Sequence, residues 1–293
     1  METPADLRLP DGSVLQYFLD EDAPADAGLL IYHHGTPAAG PLGPDLLEPA
    51  RAAGLQIAEV VRPGYGGSTR QPGRTVADVV PLTAALADHL GHHRFVSLGW
   101  SGGGPHVLAT AALLPDRCAG ALCLAGVAPY GVDGVDFLAG MGEDNIAEFG
   151  AALEGAQALE TFLTEAAQGL AGVTGPEVNE AMSSLLPAVD KAHLTGEAAE
   201  HLAEELRWSV ATGIWGWFDD DVAFVEDWGF DLSGITVPVQ VWQGSEDLMV
   251  PFAHGQWLAS NVPGAVPRLA TGEGHLSLVA RIGEGMAELR DAL

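Results

Sequence analysis

Lysine is almost missing from this chain. Its 293 residues hold 12 Lys and Arg together against 40 Asp and Glu, and the one lysine is Lys191. A formal net charge of −28 argues against nucleic acid and anionic membrane as partners, since both repel it. Cysteine is nearly as scarce. Cys118 and Cys123 lie too close together for a disulfide framework, and no CxxC or His/Cys ligand spacing accompanies them. Both read as small buried hydrophobes in a reducing compartment. The HHG stretch at 33–35 has no acidic or His partner at a ligand-like interval, so no metal or other cofactor is expected. No apolar run is long enough to span a bilayer, and the opening METPADLRLPDGS lacks the apolar core of a secretory signal. A cytoplasmic location is expected.

The remainder has the composition of a globular protein, with 47% hydrophobic residues, enough for one large α/β domain or a domain with an insertion. SVLQYFLD (13–20) alternates like an edge strand, and GLLIYHH (28–34) is a compact apolar run ending in a glycine turn. LQIAEVV, RFVSLGW, GALCLAGV, VPVQVWQG and AVPRLAT follow as continuous runs, the pattern of strands covered on both faces. Helical stretches such as TVADVVPLTAALADHLG (75–91) and GPHVLATAALLP (104–115) lie between them. The alternation predicts an α/β fold, a mostly parallel twisted sheet with helices on both faces.

One interval breaks the rhythm. From Gly131 to Phe230 no good strand occurs, only helical patterns, so residues 1–130 and 231–293 are expected to form a core and 131–230 a helical insertion. That interval holds twenty Asp and Glu against Lys191 and Arg207, about −18 of the total charge. Solvated helix faces explain much of this. A mouth that disfavours anions and tolerates neutral or cationic small molecules is the sharper reading. Its end is rich in aromatics. His33, Trp100, Trp215, Trp217 and Phe218 are candidate walls of an apolar pocket beneath it.

The chemistry centres on LGWSGGG (98–104), set between a strand and a helix. Gly99-Trp100-Ser101-Gly102-Gly103 fits G-x-S-x-G, the strand-to-helix turn that exposes a nucleophilic serine. The glycines remove side chains that would collide on so tight a turn, and the Gly102 N–H points from a helix start toward developing negative charge. The phosphate-loop alternative G-x-x-x-x-G-K-[ST] requires a lysine there, and the loop does not spell the dinucleotide fingerprint G-x-G-x-x-G. Asp247 follows the strand VPVQVWQG, and His275 follows VPRLAT. Ser101, Asp247 and His275 therefore come in the chain order of a nucleophile, orienting acid and general base on this fold. Glu246 and Asp133 are rival acids. Thr36, after the strand ending in His33 and His34, is the second candidate backbone donor for an oxyanion beside Gly102, whereas Pro37 has no N–H. His34 is expected to tie the loop structurally.

HHGTP (33–37), RPGYGGS (62–68), GWSGGG (99–104), QGSEDLMVP (243–251) and GEGHLSL (272–278) together resemble the capped serine hydrolases of the α/β-hydrolase superfamily. The motifs span the chain outside the insertion, which falls after the sixth core strand, where that family carries its helical cap. Haloalkane dehalogenases and epoxide hydrolases share the layout but use an aspartate nucleophile, so Ser101 argues against both. Proline iminopeptidases resemble it too, with a HGGPG loop and an acidic cap that receives an amino group; here only the acidic cap matches. RPGYGGS follows Val61 where relatives often have an acid, so this loop reads as structural, with Arg62 pairing locally. The resemblance implies a carboxylesterase with a Ser-Asp-His triad, acting without cofactor on a small to medium, apolar, neutral or cationic ester. Aminopeptidase or amidase chemistry, C–C bond hydrolysis, lyase or perhydrolase chemistry, and a non-catalytic ligand sensor are the alternatives.

Overall fold

The apolar runs pair into one eight-stranded sheet in the computed structural model, which describes residues 3–293 and so leaves the first two residues of the opening segment outside. The chain runs β1 (Ala5–Arg8), β2 (Val14–Leu19), β3 (Gly28–His33), α1 (Pro44–Ala52), β4 (Leu55–Val60), α2 (Val80–His89), β5 (Phe95–Trp100), α3 (Gly103–Leu113) and β6 (Cys118–Leu124). Six helices then intervene: α4 (Glu143–Glu154), α5 (Ala156–Leu170), α6 (Gly175–Ala181), α7 (Ala188–His193), α8 (Gly196–Val210) and α9 (Trp215–Val225). β7 (Val239–Gly244), α10 (Phe252–Asn261), β8 (Val266–Ala270) and α11 (Ile282–Ala292) complete the sheet and its cover.

The sheet order is β1-β2-β4-β3-β5-β6-β7-β8. β2 runs antiparallel to both β1 and β4, and every later pair is parallel. The central strands β3 to β7 are mostly apolar because both faces are covered. In β3, Leu29 and Ile31 enter one core with α2 and α3, while Leu30 and Tyr32 enter the other with α1 and α11. Burying such a Leu or Ile contributes roughly 1.5–3 kcal/mol per side chain. Cys118 and Cys123 sit in the first of these cores, where burial pushes both thiols up to about 12.

Two boundaries differ from the sequence reading. β1 has no apolar pattern, because three of its four residues are exposed. The long helical stretch at 143–170 is broken at Gly155, whose φ of 131° no ordinary helical residue adopts.

The chain leaves β3 toward β4 on one side and returns to place β5 on the other. At such a switch point the loops after adjacent strands diverge and open a crevice at their carboxyl ends. The loops carrying Thr36 and Ser101 flank that crevice.

Candidate active site

Ser101 directly follows β5 at φ 55°, one of two positive-φ non-glycine residues among those described. This conformation costs roughly 1–2 kcal/mol, and neighbouring backbone holds it. Ser101 N donates to Leu124 O at 2.8 Å, and Gly104 N donates back to Ser101 O at 2.8 Å. A side chain at Gly103 would collide with the His33 carbonyl, and one at Gly102 with the Thr36 side chain. The glycines thus let the serine turn pack directly on the loop after β3.

The loop after β7 brings Asp247 into the same region. Its Oδ1 accepts the N–H groups of Met249 and Val250 at 2.8 and 2.9 Å, and its Oδ2 accepts Gln243 Nε2 at 2.7 Å and pairs with His275 Nδ1 at 2.8 Å. A carboxylate there fixes the proton on Nδ1 and leaves the Nε2 lone pair free. His275 Nε2 is buried and has no hydrogen-bond partner among the described residues. Burial alone would lower the His275 pKa; the charge and hydrogen bond of Asp247, with the charge of Asp190, outweigh it and raise it. Glu246, by contrast, is exposed and receives Ser245 Oγ. Asp133 is also at the surface.

Ser101, His275, Gly102, Thr36 and Trp100 line one cavity of about 400 Å3, partly covered by the inserted helices. Phe149, Phe162, Leu170, Leu202 and Met249 make its walls apolar. The acidic groups on its lining are Asp144, Glu148 and Asp221, and no lysine or arginine joins them. On α9, Trp217, Asp221 and Phe224 face this space at i, i+4 and i+7.

The expected pocket set needs three corrections. His33 is fully buried behind the serine turn, stacked on His106 at 6.1 Å, and does not line the cavity. Trp215 and Phe218 lie on another side of α9, where the Arg70 guanidinium stacks on Trp215 at 3.9 Å. Trp100 and Trp217 do line it, and Trp217 Nε1 donates to Glu148 Oε1 at 2.8 Å.

Arg62 does not pair locally. It reaches Asp220 on α9, 158 residues away, with Nη2 at 2.6 Å from Oδ2. Its other donors hold the loop after β3: Nη1 to His34 O at 2.5 Å, and Nη2 to Gly35 O and Thr36 Oγ1, each at 2.9 Å. Asp220 also accepts Arg74 Nη2 at 2.5 Å, Tyr65 Oη at 3.0 Å and Thr36 Oγ1 at 2.7 Å. Burial would raise its pKa, but Arg62 and Arg74 hold it well below the usual carboxylate range. His34 closes the loop: its Nε2 accepts Arg62 N at 3.3 Å, so its Nδ1 donates to Gly35 O at 2.7 Å. Nothing in the spacing of RPGYGGS announced this network, since its acid lies in the insertion.

The model of the alpha/beta hydrolase fold matches residues 28–279, and this chain belongs to that family. No functionally curated protein matches it. Among solved structures, an alpha/beta hydrolase fold protein from Nakamurella multipartita is 22% identical with a TM-score of 0.68, over 99% of each chain. A bromoperoxidase from Bacillus anthracis is 20% identical at TM-score 0.69, over 99% of each chain. An esterase from Exiguobacterium antarcticum is 17% identical at TM-score 0.68, covering 99% of this chain and 100% of its own. Among the described residues no helix is long and apolar enough to cross a membrane.

Proposed function

We propose that this protein is a serine hydrolase of carboxylic esters. The observation that carries the reading is the buried Asp247–His275 pair, whose Nε2 receives no hydrogen bond and whose histidine lines the same cavity as Ser101. Ser101 Oγ attacks the ester carbonyl carbon while His275 Nε2 takes its proton. The N–H groups of Thr36 and Gly102 hold the resulting oxyanion, the latter at the start of α3. Collapse breaks the ester C–O bond, and His275 gives its proton to the departing alcohol. Water, deprotonated by the same imidazole, then releases the acid and frees Ser101. The helices at 131–230 act as a cap, and their apolar walls suit a small to medium acyl group without negative charge. Turnover of p-nitrophenyl esters tests this reading. Ser101→Ala and His275→Ala should each lower kcat/KM by roughly a thousandfold or more, and full activity in either folded variant would refute it.

A second reading, an aminopeptidase or amidase, is favoured by one observation. Glu148 and Asp221 meet at the cavity wall, hydrogen-bonded to each other, and no lysine or arginine lines the cavity beside them. An ammonium group on the substrate would supply the positive charge that this acidic pair lacks. Aminoacyl p-nitroanilides compared with neutral acyl p-nitroanilides distinguish the two readings. Cleavage only of the charged series favours the amidase.

A further inference from the structure

The loop carrying His275 is held from the inserted helices. Asp190, on α7, is fully buried. Its Oδ2 accepts the backbone N–H of His275 at 2.8 Å, and its Oδ1 accepts those of Leu276 at 3.0 Å and Ser277 at 2.9 Å. Those three donors open the 3-10 turn over Ser277–Arg281. Helical starts leave such N–H groups unpaired, and a nearby side chain normally caps them. Here the cap comes from 85 residues earlier in the chain. Space for it is reserved, because any side chain at Gly274 would collide with the Asp190 carboxylate.

The same stretch forms a wall of the cavity. Ala181, Met182 and Leu185 line it just before α7, and Leu276 lines it just after the histidine. Lys191 Nζ donates to Ser183 O at 3.3 Å and ties α7 back to that wall. The lining and the clamp on the histidine therefore belong to one short segment, residues 181–191.

We propose that Asp190 is a positioning residue, setting the place of the His275 imidazole over Ser101 from the cap, so that displacement of that wall reaches the base. The role rests on the serine-hydrolase reading. A carboxylate so placed also acts on the ring through its charge. The charged or titratable groups facing His275 are Asp247, on Nδ1, and Asp190, beneath its backbone. Glu273 is turned away onto Ser277 Oγ at 2.7 Å, and the Trp100 indole, 5.3 Å off, is uncharged.

Asp190→Asn keeps the shape of the side chain while removing the charge and one acceptor. Two measurements are made on the folded variant: the rate of fluorophosphonate labelling against pH, and the His275 titration by NMR, assigned through His275→Gln. The expected result is labelling slowed roughly 10- to 100-fold, the cost of displacing a catalytic group by about an ångström, together with a His275 midpoint moved to lower pH. An unchanged labelling rate overturns the proposal, whatever the midpoint does. Slower labelling at an unmoved midpoint also overturns it, because general loosening would do the same. If Asp190→Asn does not fold, Gly274→Ala, which displaces the carboxylate, decides by the same labelling rate and midpoint. A folded wild type that never labels counts against the hydrolase reading alone, and the titration then decides for Asp190.

Discussion

Asp219, Asp220 and Asp221 are consecutive on α9, yet each meets a different world. Successive helical residues point about 100° apart, so one acidic run serves three surfaces. Asp219 lies buried beneath Arg70 and pairs with its Nε at 2.8 Å, the arginine being 29% exposed. Asp220 faces the core and is enclosed by Arg62 and Arg74, both fully buried. Asp221 faces the cavity, where its charged neighbour is another carboxyl, Glu148. A hydrogen bond between those two exists only while one of them carries a proton. Burial accordingly pushes Glu148 up to about 7 and Asp221 well above the carboxylate range. Charge in the sequence thus says little until its partners are known: the same residue type anchors a loop, holds down a partly exposed arginine and primes a pocket.

The sharpest way to break this contrast is at Asp220. Asp220→Ala leaves two arginines buried without their anion, and thermal or urea unfolding should show a loss of about 3–5 kcal/mol. Because Arg62 and Asp220 also hold the Thr36 loop, ester turnover of any folded fraction should fall with it.

Glu148 should give the next largest effect, with the opposite sign. The folded state holds its proton up to about pH 7, while the unfolded chain releases it near 4.5. Between those values the folded state binds more protons, so stability should fall as pH rises through this window. Glu148→Gln should flatten that slope and stabilise the protein above pH 7, on the order of 1–3 kcal/mol, as read by melts at pH 5 and 8. Asp221→Asn should in addition erase any preference for an ester carrying an ammonium group over its neutral isostere. That preference should be strongest at low ionic strength. Asp219→Asn should cost least, on the order of 1 kcal/mol, since water reaches the Arg70 half of the pair.

Much of this was legible in the sequence because it is local. Continuous apolar runs announce strands covered on two faces, and LGWSGGG announces a turn that only glycines permit. Asp247 and His275 stood at strand ends, where an α/β sheet presents its chemistry. The pocket wall was less legible. Trp215, Trp217 and Phe218 are equally aromatic, and only the helical phase relating Trp217 to Asp221 and Phe224 selects the one facing the cavity. That phase was available in the sequence and would have found Asp221 as well. Asp190 and the Arg62–Asp220 pair left no such trace. Their partners lie 85 and 158 residues away, and only the folded chain brings them together.

The central claim is that Ser101 is a nucleophile armed by His275. Labelling with a fluorophosphonate probe, followed by mass analysis of the modified peptide, tests it most directly. The account predicts rapid labelling of Ser101 alone, absent in Ser101→Ala and lost or greatly slowed in His275→Ala. A folded wild-type protein that takes no label, or takes it at another residue, would contradict it.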